Sequence, residues 1–210
     1  MKTDNYKVDY GFTKETFPLG IHMCYIYNDD SERRKVISKF VESGLLAREK
    51  VLYLVDVPTT EDMDDYLKGM GLEVDQVRKS GQLVMKTTMS GYYPDGCFSI
   101  DGMLQRLRDF YNLSQNEEYA AVRATGETWW TQRGVPGAEH WLEYEAMLNK
   151  LVLDYPFSAL ICQYDAKMYN GATIFDVLRV HPMMIVQGQV LRNPYYVQPD
   201  EFLAQKESLA

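Results

Sequence analysis

Apolar runs alternate with amphipathic stretches along almost the whole chain. Residues 19–27 (LGIHMCYIY) read as a first buried strand, and residues 50–57 (KVLYLVDV), rich in branched side chains and bounded by Pro58, as a second. Between them, Asp29 and Glu32 stand at capping-box spacing ahead of a helix whose apolar face is Val36, Ile37, Phe40 and Val41. Gly44 followed by Leu45 is the pattern of a glycine-terminated helix end. A short acidic helix over 60–70, ending at Gly71, leads to a weaker strand at 82–87 and to a loop at 90–96 (SGYYPDG). Ile100, Met103, Leu104, Leu107 and Tyr111 keep helical spacing without a break. A strand at 119–125 (YAAVRAT), a helix over 139–153 and a strand at 157–164 (FSALICQY) follow. A short helix around 174–178 then precedes two strands, 183–187 and 189–192, hinged at Gly188 as a hairpin.

Strand and helix in alternation predict an α/β fold: a mostly parallel sheet with helices on both faces, closed by a C-terminal antiparallel hairpin. Ligands of such sheets lie beyond the carboxyl ends of the strands, at a switch in strand order. That rule points to residues 25–28, 56–59, 127–130 and 163–165. The first strand is followed by Tyr27, Asn28, Asp29, Asp30, Ser31 and Glu32. This stretch has no glycine cradle and no Lys-Ser/Thr pair, and it puts carboxylates where phosphates need amide donors. No nucleotide is therefore expected, and no GxGxxG, GxSxG or HExxH pattern supplies another chemistry.

Composition narrows the classes further. The 46% hydrophobic and 25% charged fractions are those of a globular protein. Lys plus Arg numbers 22 against 30 for Asp plus Glu, a net charge of −8, which disfavours direct nucleic-acid binding. No apolar run is long enough for a membrane span, and the first residues lack the apolar core of a secretion signal. The expected location is the cytoplasm. Cys24, Cys97 and Cys162 are odd in number and lack zinc-finger spacing, so reduced thiols are the expectation.

Candidate chemistry falls in four places. His22 and Cys24, two apart on one strand, share a face. With Cys162 and His181 they offer two imidazoles and two thiols, a donor set for a soft or borderline metal. The plain alternative is a buried thiol serving as filler and a histidine satisfying one hydrogen bond. Arg123, Glu127, Trp129 and Trp130 are placed at the end of the 119–125 strand as a binding loop, or else as an Arg–Glu pair beneath packed indoles. Gln163, Tyr164 and Asp165 end another strand, where Asp165 either meets a ligand or caps the next turn. Glu143 and Glu145 cannot share a helix face, so one of them points inward.

Taken in order, HMCYIYNDDSERRKVISKFVESGLLAREKVLYLVD, RATGETWW, WLEYEAMLNKL, ALICQYD, VHPMMIVQG and NPYY resemble the MEDS domain, the DcmR-like sensory domain of methanogens and methylotrophs. The resemblance spans residues 18–201, leaving 1–17 as an N-terminal extension and 202–210 as a tail. It implies a three-layer RecA/KaiC-like fold that has lost its nucleotide loop. GLLAREKVLYL resembles a degenerate form of a stretch of that superfamily, with Arg48 where glycine is usual. Carried over, the family's polar positions are His22, Cys24, Arg123, Glu127, Cys162, Tyr164, Asp165 and His181; Trp130 joins them as an apolar wall. The implied function is a non-catalytic sensor of a small organic molecule, a hydrocarbon derivative or one-carbon compound. No helix-turn-helix or kinase segment accompanies it, so the signal is expected to pass to a separate transcription regulator or histidine kinase. A metal or redox sensor built on the His and Cys residues, a Cys-dependent enzyme, and an interaction module that pairs with its own copies are the competing expectations.

Overall fold

Successive side chains of a strand point to opposite faces of a sheet, and in this chain both faces are apolar. The computed structural model describes residues 6–56, 61–69 and 72–208. A short antiparallel ribbon of β1 (Val8–Asp9) and β2 (Thr16–Phe17) precedes the main sheet. That sheet contains β3 (His22–Tyr27), β4 (Lys50–Val55), β5 (Leu83–Thr87), β6 (Val122–Glu127), β7 (Ala159–Asp165), β8 (Met183–Val186) and β9 (Gln189–Arg192). Their order is β5-β4-β6-β7-β3-β8-β9, and every neighbouring pair is parallel except β8 and β9. The helices are α1 (Asp30–Leu46), α2 (Glu61–Gly69), α3 (Val74–Lys79), α4 (Thr88–Tyr92), α5 (Ile100–Asn116), α6 (Trp141–Asp154), α7 (Gly171–Val180) and α8 (Pro199–Glu207).

Alternation produces two cores and hence three layers. Met23, Tyr25, Val51, Tyr53 and Ile161 pack against Val36, Ile37, Phe40 and Val41 of α1. Leu52, Leu54, Leu160, Cys162 and Tyr164 face the other way, onto Met103 and Leu107 of α5, Leu142 and Leu148 of α6, and Val177 of α7. The link from β3 to β4 passes two strands, and the link from β7 to β8 crosses back over β3. β3 therefore lies between β7 and β8, with the turn before β8 brought beside it.

The helix start at Asp29 is as expected: its carboxylate accepts the Glu32 amide at 2.8 Å. The expected stop at Gly44 is not. The helix continues to Leu46, and Arg48 (φ 57°) takes the left-handed turn that ends it. Gly44 is small for another reason, since a Cβ there would stand 2.6 Å from Arg123 Nε. The expected loop at 90–96 begins as α4, capped by Thr87, and Tyr92 and Tyr93 are buried. The helix around 174–178 spans Gly171–Val180, started by the Asn170 side chain. The tail expected after residue 201 is part of α8, whose Phe202 enters the core. Gln187 and Gly188 both have positive φ, the turn geometry of a tight hairpin, as the sequence predicts. Pro58, the strand-end residues 57–59 and the helix ends at residues 60, 70 and 71 lie outside the described residues.

Candidate functional site: a buried His–Glu–Cys–His cluster beside an apolar cavity

The inward face of α6 is apolar except for Glu145 and Asn149, which stand one turn apart on it. Glu145 is almost fully buried, at 2% exposure, and it meets side chains from three other elements. His22 is the first residue of β3, Cys162 lies on β7, and His181 caps the end of α7 ahead of β8. Glu145 Oε2 is 3.1 Å from His22 Nε2, 3.2 Å from Cys162 Sγ and 3.4 Å from His181 Nε2. Cys162 Sγ is 3.5 Å from His22 Nε2. The other carboxylate oxygen, Oε1, accepts the Tyr164 hydroxyl at 2.9 Å.

The hydrogen bonds around this group fix both imidazoles. Asn149 Nδ2 donates to Val180 O at 2.8 Å, so its Oδ1 faces His22 and accepts Nδ1–H at 3.1 Å. His181 Nδ1–H donates at 2.7 Å to Val177 O, one of the carbonyls left unpaired at the end of α7. Each ring consequently turns Nε2 toward Glu145 Oε2 and Cys162 Sγ. His181 Nε2 is buried and has no partner in hydrogen-bond geometry. The ligand-type atoms of His22, Glu145, Cys162 and His181 all lie within 4.8 Å of one another.

Electrostatics follow from this geometry. Burial by itself raises a carboxyl pKa, but the close approach and charge of His181 and His22 outweigh it and hold Glu145 well below the usual carboxylate range. Burial, and then the neighbouring His181, push the His22 imidazole down, against the pull of Glu145. Burial and the Glu145 charge push the Cys162 thiol and the Tyr164 hydroxyl well up. Burial does the same to Cys24.

Beside this cluster, α5 stands off from β4 and β5 and leaves an open cavity of about 260 Å³. Its walls are mainly Leu52, Leu54, Val84, Met103, Leu107 and Phe110, with Lys86, Arg106 and Asp109 among its polar residues. Leu52, Leu54, Met103 and Leu107 also line a smaller space of about 20 Å³ that reaches Thr125 and Cys162. Arg106 Nη2 donates to Tyr92 O at 2.7 Å, while its Nε is buried without a hydrogen-bond partner.

The structure brings together His22, Cys162, Tyr164 and His181 of the residues singled out in the sequence. Cys24 is next to Cys162 in the β3–β7 register, but its thiol points to Met183 O at 3.8 Å and is not one of the four converging groups. Arg123 is at the amino end of β6, not its carboxyl end, and it faces α1. Its guanidinium is spent on Glu49 at 2.5 Å and Phe40 O at 2.7 Å. Glu127 does end β6, on that same face, and binds Arg33 and Tyr53, each at 2.8 Å. Trp130 is buried in a stack with Tyr92, Tyr93 and Phe98 rather than along a ligand wall. Asp165 Oδ1 accepts the Lys167 amide, the turn-capping alternative. Glu145 and Asn149 complete the cluster, and two polar residues one turn apart on an apolar helix face were the available signal for them.

A profile of the family described as MEthanogen/methylotroph, DcmR Sensory domain (MEDS) matches residues 21–182. No curated protein matches the chain. Among solved structures, a KaiC-like protein from the hyperthermophilic archaeon Pyrococcus horikoshii OT3 superposes with a TM-score of 0.61 at 12% identity, covering 85% of this chain and 79% of that one. The flagellar accessory protein FlaH from Methanocaldococcus jannaschii gives 0.59 at 10% identity, covering 88% and 83% respectively. At these identities the likeness is one of fold: the chain has the RecA/KaiC-like architecture. Among the described residues, no helix is long and apolar enough to cross a membrane.

Proposed function

Because the chain belongs to the MEDS family of sensory domains, we propose that it binds a small organic molecule in the cavity under α5 and passes that event to a separate regulator. The observation that carries this reading is the cavity itself, a largely apolar space of about 260 Å³ with the Arg106 and Lys86 side chains in its wall. An engineered apolar cavity of about 150 Å³ takes up benzene, so a molecule of that size or somewhat larger fits here. Its body would lie against Leu54, Val84, Met103 and Phe110, and an oxygen acceptor on it would meet the cationic side chains of Arg106 and Lys86. The ligand class is thus a short hydrocarbon chain or ring bearing a carbonyl, hydroxyl or carboxylate oxygen.

Transmission has a short physical path. A Cβ on Gly91 of α4 would stand 2.5 Å from Leu54 Cδ2, so α4 is in close contact with the cavity wall. Met89, on the same short helix, is 60% exposed. A ligand that displaces Leu54 displaces α4 and alters the surface around Met89, where a regulator would read it. A sensory rather than catalytic role agrees with thiols whose pKa burial has raised, because an unactivated thiol is a poor nucleophile.

The test is calorimetry with two probe series, short aliphatic alcohols and short aliphatic carboxylic acids. The reading expects saturable binding at one site that tightens with chain length and is abolished by Val84→Trp, which fills the cavity. Absence of saturable binding in both series, or unchanged binding in the filled variant, contradicts it.

A further inference from the structure

Four donor atoms facing one another in a sealed core need an explanation that a ligand in the neighbouring cavity does not provide. We propose that His22 Nε2, Glu145 Oε2, Cys162 Sγ and His181 Nε2 form a tetrahedral site for a divalent borderline transition metal of the zinc type. The inference goes beyond the sensory reading and stands without it.

Distances are the first support. Typical bonds of 2.0–2.1 Å to nitrogen, about 2.1 Å to carboxylate oxygen and about 2.3 Å to sulfur place tetrahedral ligands roughly 3.3–3.6 Å apart. Four of the donor pairs here are separated by 3.1, 3.2, 3.4 and 3.5 Å. The other pairs are within 4.8 Å, so closing on an ion requires movement of about 1 Å.

The surrounding hydrogen bonds are the second. A metal-bound histidine almost always donates its other ring N–H to a carbonyl or carboxylate oxygen, which fixes the tautomer. His22 does so to Asn149 and His181 to Val177 O. Tyr164 holds Oε1 of Glu145 and leaves Oε2 facing inward. Three of the four ligands are thus oriented before any ion arrives.

Proton and charge counts are the third. Both imidazoles use Nδ1–H outward and so present Nε2 to the space shared with Glu145 Oε2 and Cys162 Sγ. His181 Nε2 stands 3.4 Å from Glu145 Oε2 but outside hydrogen-bond geometry. A dication bound by one thiolate, one carboxylate and two neutral imidazoles has no net charge, which suits a buried position. Binding forms four metal–ligand bonds and releases the Cys162 thiol proton, with any second imidazole proton, to solvent. A thiolate and two imidazoles disfavour magnesium and calcium, and a single sulfur disfavours copper(I).

Cobalt(II) substitution tests the site. The chain is refolded from denaturant with cobalt(II), so that burial does not block entry. The expected result is one cobalt per chain, displaced by an equal amount of zinc. It should show the strong visible absorption of tetrahedral cobalt and a near-ultraviolet thiolate-to-cobalt band. Cys162→Ser should lose the thiolate band and Cys24→Ser should keep it. If wild-type protein refolded in this way takes up no stoichiometric cobalt, or gives only the weak spectrum of an octahedral ion, the proposal is overturned. Loss of the thiolate band in Cys24→Ser but not in Cys162→Ser overturns the ligand assignment. The wild-type spectrum decides even if a variant fails to fold, and failure of the alcohol and acid probes to bind leaves this test unaffected.

Discussion

Cys162 Sγ lies 3.2 Å from Glu145 Oε2, with both side chains in the core. A thiol and a carboxylate brought together away from water are costly unless something nearby repays their desolvation. His22 and His181 stand against the same carboxylate oxygen, so Glu145 is the hub on which the cluster depends.

Removing that hub should therefore be expensive. Glu145→Ala strands two buried imidazoles and a thiol. It should lower the stability of metal-free protein by about 1–3 kcal/mol, the cost of leaving a buried polar group without its hydrogen-bond partner. Glu145→Gln, which retains hydrogen bonding, should lose less. Urea unfolding followed by circular dichroism measures both, and a midpoint unchanged in Glu145→Ala would show that the cluster is not a stability determinant.

Asn149 meets a ligand side chain of the cluster at His22 Nδ1, while its Nδ2 is held by the carbonyls of Val180, Glu145 and Ala146. If it orients a ligand, Asn149→Ala should weaken zinc binding about 10–100-fold, the usual effect of losing an outer partner. Competition against a chromophoric chelator reads this directly. Affinity equal to that of the wild type would mean that the ring of His22 needs no such support.

Arg106 and Val84 line the cavity but not the smaller space that reaches Cys162. Arg106→Met should weaken oxygen-bearing probes by about tenfold or more, as loss of a hydrogen bond from a charged group implies. Neither Arg106→Met nor Val84→Trp should change the zinc stoichiometry. Calorimetry with hexanoic acid, and metal analysis of the same samples, test the two statements together.

Arg123 is assigned a structural task, pairing with Glu49 and passing over Gly44. Arg123→Met should cost about 3–5 kcal/mol, and Gly44→Ala about 1–3 kcal/mol through crowding. At temperatures where these variants stay folded, zinc and probe binding should match the wild type. A binding defect without a stability defect would return Arg123 to the site.

The sequence made much of this legible, and for identifiable reasons. His22 and Cys162 sit in apolar runs whose alternation marks both strand and face, and the hairpin turn at Gly188 placed His181 just ahead of an edge pair. Glu145 was harder, because Glu143 beside it offers the same chemistry and helix phase alone left open which one faces inward. Arg123 misled because the strand it occupies begins later, at Val122, and runs on through Glu127. That shift turns a residue expected at the carboxyl end into one at the amino end. The cavity had no sequence signal at all, since it depends on how far α5 stands from β4 and β5. α3 and α8 escaped for a similar reason: the first is short, and the second is anchored in the core mainly by Phe202.

The most direct measurement is X-ray absorption at the zinc edge of the zinc-loaded protein, because it counts ligands by element. The account predicts one sulfur at about 2.3 Å and three nitrogen or oxygen neighbours at about 2.0–2.1 Å. A shell with two sulfurs would make Cys24 a ligand in place of one of the four groups named here. A shell with no sulfur would contradict the buried metal centre altogether.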